Sequence, residues 1–144
     1  MLRATGAAHF SAGRSDEAIE AEVGIVCLHE PPYAEGVGDR PDLELNRKEI
    51  ALLERMRSRC HRLVVIIFSG RPLVITDQLP LAEAWIAAWL PGSEGQGIAD
   101  VLFGDYKPTG KLSFTWPRSI DQLPINVGDA SYDPLFAFGY GLTY

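Results

Sequence analysis

Val23-Gly24-Ile25-Val26-Cys27-Leu28 and Leu63-Val64-Val65-Ile66-Ile67-Phe68 are two short apolar runs rich in β-branched residues. Neither alternates polar with apolar, so each reads as a strand buried on both faces, as in a parallel sheet. Between them Asn46 opens a helix, with Glu49 three residues on, close to a capping box. Ile50, Leu53 and Met56 follow at helical spacing. Strand, helix, strand is the unit that builds a parallel sheet.

Outward from this unit the pattern continues. Trp85–Leu90 reads as a third strand. A glycine-rich turn after Pro91 leads to a helix over Ile98–Phe103, which Gly104 ends. Lys111–Trp116 reads as a further strand, bounded by Gly110 and Pro117. Upstream, Ser15 followed by Asp16 and Glu17 starts a short helix that ends near Glu22. Residues 1–14 show no period and read as a poorly ordered segment; residues 15–144 read as one domain. The fold class is α/β, a mostly parallel sheet with helices on both faces. Ligands of such sheets gather at the carboxyl ends of the strands. The long loop from His29 to Leu45 leaves one such end.

Composition narrows the function. The 144 residues are 47% apolar and 22% charged, an ordinary globular balance. The net charge of -6 argues against nucleic acid or an anionic membrane as partner. Arg55, Arg57, Arg59 and Arg62 group near a helix end, where cations complement the dipole. No run is apolar enough to span a membrane, and the start lacks the apolar core of a signal peptide. Cys27 and Cys60 lack metal spacing and read as buried free thiols. His9, His29 and His61 are scattered, so a metal cluster is not expected.

The loop after the first run carries the chemistry. His29-Glu30-Pro31-Pro32-Tyr33-Ala34-Glu35-Gly36-Val37-Gly38-Asp39 places three carboxylates and a tyrosine together. A carboxylic acid is what glycosidic cleavage needs, to protonate the leaving oxygen. Gly36-Val37-Gly38 lacks the third glycine of a dinucleotide fingerprint. Pro91 stands where a nucleophile elbow at Ser93 needs glycine, which excludes a serine hydrolase of that type. Trp85, Trp89 and Trp116 lie in or beside strands and read as core. Phe136, Phe138 and Tyr140 are read either as closing that core or as facing a neighbouring domain.

These blocks, in order, resemble the second domain of glycoside hydrolase family 3. Glu30-x-Pro32-Tyr33-Ala34-Glu35-Gly36-x-Gly38-Asp39 is similar to its acid-bearing loop. Ser69-Gly70-Arg71-Pro72, Trp89 to Gly95, Asp100 to Asp105, Pro108 to Leu112, and Pro134 to Tyr144 match the motifs that follow. Asn126 to Ala130 looks closest to its exo-acting β-glucan glucohydrolases.

The resemblance implies an α/β sandwich following a β/α barrel, and a retaining β-glucosidase or exo-β-glucanase without cofactor or metal. The barrel supplies the nucleophile, and a loop glutamate of the second domain supplies the acid/base. Carried over by the motif, that position falls on Glu35, with Glu30 as the alternative. Tyr33 and Asp39 would shape the loop. The ligand would be a β-glucoside or β-glucan oligosaccharide.

The barrel is not among these residues, and the domain's first strand is expected to be missing. The partner would then be a barrel domain, a partner chain or a second copy. The chain alone is expected to have little or no β-glucosidase activity. The rival expectations are a non-catalytic module that binds glucan or a partner, and a truncated fragment without a selected role. Relatives are commonly secreted or periplasmic; the compartment of this chain is left open.

Overall fold

The computed structural model describes residues 20–33 and 35–144. The segment 1–14 and the helix start at Ser15 lie outside the described residues. The end assigned to that helix is corrected: Ala21 and Glu22 already belong to a strand.

Three strands form one parallel sheet in the order β1-β2-β3: β1 Ala21–His29, β2 Cys60–Phe68 and β3 Ala84–Ala87. α1 (Arg47–Arg57) connects β1 to β2, and α2 (Gly95–Phe103) follows β3. The class is α/β, as the two apolar runs imply.

α1 starts where the sequence sets it. Asn46 Oδ1 accepts from the Lys48 and Glu49 amides at 3.0 and 3.1 Å. Glu49 returns the bond, its Oε2 accepting from the Asn46 amide at 3.1 Å. This is a complete capping box. The other Glu49 oxygen accepts from the His29 amide at 3.0 Å. One carboxylate therefore ties the first turn of α1 to the last residue of β1.

The core lies on one face of the sheet. Val26 and Leu28 of β1 and Leu63, Val65 and Ile67 of β2 are buried there with Leu53 of α1. Leu45, Cys60, Leu73, Ile75 and Trp116 complete it. Each fully buried aliphatic side chain contributes roughly 1.5–3 kcal/mol. Trp85 and Trp89 are half-buried against this core, and Trp116 is buried, as expected of all three.

Period-two alternation sends Ile25 and Cys27 to the opposite face, where both are exposed, so the expectation of burial on both faces fails for β1. The expectation of two buried thiols therefore fails for Cys27 and holds for Cys60. Across the outer edge of β3, α2 and the C-terminal tail border an apolar cavity of about 680 Å³.

Lys111–Trp116 does not form a strand. It meets the tail at two places: Leu112 with Gly139 and Tyr140, and Trp116 with Leu135 and Phe136. Between them the ladder breaks, because the Phe138 amide donates to the Tyr132 hydroxyl at 3.1 Å instead. Thr115 Oγ1 lies 3.1 Å from the same hydroxyl.

Candidate functional site

β1 and β2 run in register to their ends, His29 opposite Phe68. The residues that follow each strand are thus neighbours, and the Glu30 amide donates to Phe68 O at 3.0 Å. Here the long loop leaves the sheet, at the carboxyl edge where a site is expected.

Glu30 points inward. Its side chain is only 6% exposed. Ser69 Oγ donates to Oε2 at 2.6 Å. Arg71 approaches side-on, with Nη2 2.9 Å from Oε1 and Nε 3.2 Å from Oε2. Arg40 Nη1 stands 3.5 Å from Oε1. Burial alone would push this carboxyl's pKa up. The hydrogen bonds from Arg71 and Ser69, with the charges of Arg71 and Arg40, outweigh it and hold the pKa below the ordinary glutamate value. Glu30 is an ionised, fully engaged anchor.

The loop folds back over the same arginine. Arg71 Nη1 donates to Gly38 O at 2.6 Å. The guanidinium carbon lies 4.2 Å from the centre of the Tyr33 ring, a cation–π contact. The ring also rests on Gly38: a Cβ there would stand 2.5 Å from Tyr33 Cδ2. Gly38 is buried and has to be glycine for this reason.

Glu35 occupies the turn between Tyr33 and Gly38 and is exposed. Its carbonyl accepts from the Val37 amide at 2.8 Å, and Gly36 O accepts from Asp39 at 3.1 Å. Gly36 takes the left-handed conformation, φ 75°. Among the described residues, no side chain holds the Glu35 carboxylate by a hydrogen bond or ion pair. Asp39 is exposed beside this turn and contributes to the field at Arg71. The two glutamates of the loop thus sit in opposite environments.

Sequence reasoning singled out Glu30, Tyr33, Glu35 and Asp39, and all four lie on or beside this loop. Ser69 and Arg71 entered only as part of the Ser69–Pro72 motif and Arg40 not at all, yet these three hold the loop. A signal was available: parallel neighbours end side by side, so a charge just past each strand predicts a pair.

A second cavity of about 640 Å³ is lined by Arg71 together with Leu43, Phe114, Leu123, Val127 and Phe138. Neither cavity is lined by Glu35. Among the described residues no His, Cys, Asp and Glu group has metal-binding geometry.

Comparison with known proteins follows the same lines. Residues 4–144 match the glycosyl hydrolase family 3 C-terminal domain. The chain is 32% identical to a periplasmic β-glucosidase of Salmonella typhimurium, over 90% of this chain and 20% of that protein. It is 34% identical to a lysosomal β-glucosidase of Dictyostelium discoideum, over 90% of this chain and 17% of that protein. An exo-1,3/1,4-β-glucanase from a Pseudoalteromonas species superposes with a TM-score of 0.77 and 47% identity. That likeness covers 85% of this chain and 16% of the glucanase. A mutant β-glucosidase from Listeria innocua, solved in complex with laminaribiose, superposes with a TM-score of 0.74 and 26% identity, covering 85% of this chain and 20% of that one. The chain thus spans about a fifth or less of the length of these relatives. By this match and the shared fold, the chain belongs to glycosyl hydrolase family 3, as C-terminal domain sequence.

Proposed function

We propose that the loop after β1 supplies the acid/base carboxylate, Glu35, for retaining hydrolysis of a terminal β-glucoside. The observation that carries this reading is the division of labour between Glu30 and Glu35. Glu30 is buried, ionised and saturated with donors. A general acid has to hold a proton and release it to a leaving oxygen, and Glu30 can do neither in that setting. Glu35 is exposed at the tip of a fixed turn and free to meet a substrate. Tyr33 and Asp39 act on it by shaping the loop.

A retaining glycosidase sets two carboxyl groups about 5–5.5 Å apart across the bond. In this reading the second one comes from a barrel domain outside these residues. Glu35 is exposed, so its carboxylate is open to a second surface that would complete the site. The chain alone is then inactive.

The test is hydrolysis of an aryl β-glucoside by the purified chain, alone and mixed with a family 3 barrel domain. We expect no turnover alone, and turnover in the mixture that falls about 10²–10⁴-fold with Glu35→Gln. Turnover by the chain alone that vanishes in Glu35→Gln would mean that it builds a whole site itself. Mixture activity indifferent to Glu35→Gln would remove Glu35 from the role.

A second reading is a non-catalytic glucan- or partner-binding module. It is favoured by the exposed aromatic rings of Phe114 and Phe138 at the rim of the second cavity. Saturable binding of laminari- or cello-oligosaccharide without turnover in any mixture would establish it.

A further inference from the structure

We propose that Arg71 is a positioning residue for the Glu35 turn, acting through the loop backbone rather than through the Glu35 carboxylate. The proposal rests on the acid/base reading of Glu35 for its catalytic meaning. Its structural content stands on three contacts that one guanidinium makes. Nε and Nη2 hold Glu30 at the loop's exit from β1. The guanidinium plane covers the Tyr33 ring just before the turn. Nη1 holds Gly38 O just after it. Glu35 lies between the second contact and the third.

The chain on either side of Glu35 is thus pinned to one rigid group, and that group leaves the sheet only three residues beyond β2. Ser69 fixes the base of the arrangement, its hydroxyl donating to Glu30 and accepting from the Arg71 amide at 3.2 Å. The turn's own backbone bonds, Val37 to Glu35 and Asp39 to Gly36, are local and exposed. They do not fix where the turn points. The arginine does.

The chemistry requires arginine rather than any cation. A planar fork with five donors can hold a carboxylate side-on, donate to a carbonyl and lie over an aromatic face at once. Lysine carries the same charge on a compact, flexible head. It can keep the pairing with Glu30 and lose the other two contacts. Arg71→Lys therefore separates charge from positioning.

The experiment measures backbone order parameters of the full chain by nitrogen-15 relaxation, in the wild type and in Arg71→Lys, Arg71→Met and Glu35→Gln. The Glu35, Gly36 and Val37 amides should be rigid in the wild type, near about 0.85, and fall below about 0.6 in both Arg71 variants. Val65 and Ile66 in β2 should keep their wild-type values. If Arg71→Met does not fold, Arg71→Lys alone carries the test. A turn as rigid in Arg71→Lys as in the wild type overturns the proposal. A turn that loosens only in step with β2 overturns it too, since Arg71 then merely supports the fold. Glu35→Gln should leave the order of the turn unchanged. The relaxation measurement needs no turnover, so failure of the acid/base reading in the glucosidase assay is a separate result.

Discussion

Glu30 and Arg71 meet side-on across the carboxyl ends of β1 and β2, Oε1 to Nη2 at 2.9 Å and Oε2 to Nε at 3.2 Å. The carboxylate side chain is 6% exposed and the arginine side chain 22%. Removing one member of a buried pair strands the other's charge. Glu30→Ala should cost about 2–4 kcal/mol, the lower end reflecting the partial exposure of Arg71. The check is a shift of the urea midpoint without change of slope. A variant as stable as the wild type would mean the pair is decorative.

The same pair sets a dependence on pH. The pKa of Glu30 is lower in the folded chain than in the unfolded one. A lowered carboxyl stabilises the fold above its unfolded pKa, and that stabilisation is lost as pH falls through the folded pKa. Stability should therefore decline below about pH 4.3, the ordinary glutamate value. Asp42 is lowered as well, slight burial being outweighed by the hydrogen bond and charge of Arg40. Glu83 is lowered chiefly by the Leu63 amide. Denaturation midpoints between pH 3 and 6 should thus show a shallower acid limb in Glu30→Gln, and not a flat one.

Much of this architecture was legible in the residues, and the failures have physical causes. Both hydrophobic runs became parallel strands, β2 buried on both faces at Val65, Ile66 and Ile67 but β1 on one only, and Asn46 capped α1 as its spacing demands. The third strand stops at Ala87 rather than Leu90, and Trp89 takes a φ of 54° that no strand permits. Lys111–Trp116 has the alternation of a strand but loses its ladder to the Tyr132 hydroxyl, a contact no local pattern announces. The site divides in the same way. Glu30 and Glu35 are five positions apart and equally acidic on paper. Partners from elsewhere in the chain, Arg71 with Ser69 and Arg40, make Glu30 an anchor, and none of them holds the Glu35 carboxylate.

Trp116 joins the tail to the sheet domain by one buried bond. Its indole Nε1 donates to Leu73 O at 2.7 Å, and the ring packs edge-on against Phe136. Trp116→Phe keeps much of the apolar contact and orphans the Leu73 carbonyl. An unsatisfied buried acceptor costs about 1–3 kcal/mol. Thermal unfolding should show a loss of that size. A smaller loss would indicate that the Leu73 carbonyl finds water instead.

Gly38→Ala tests the loop from its other end. The added methyl would stand 2.5 Å from Tyr33 Cδ2, 3.2 Å from Cε2 and 3.3 Å from Cγ, so the ring has to move. Moving it breaks the contact with Arg71, since the guanidinium lies over that same ring. Overpacking of this kind costs about 1–3 kcal/mol. The three nearest atoms to the methyl all belong to Tyr33, so the loss should be confined to the loop. Tyr33→Ala removes the obstacle and also the cation–π contact. The double variant should therefore be no less stable than Tyr33→Ala alone, a non-additivity expected of groups in contact. Thermal midpoints of the four proteins in that cycle decide it. Strict additivity would mean that Gly38 is needed for something other than room for the tyrosine ring.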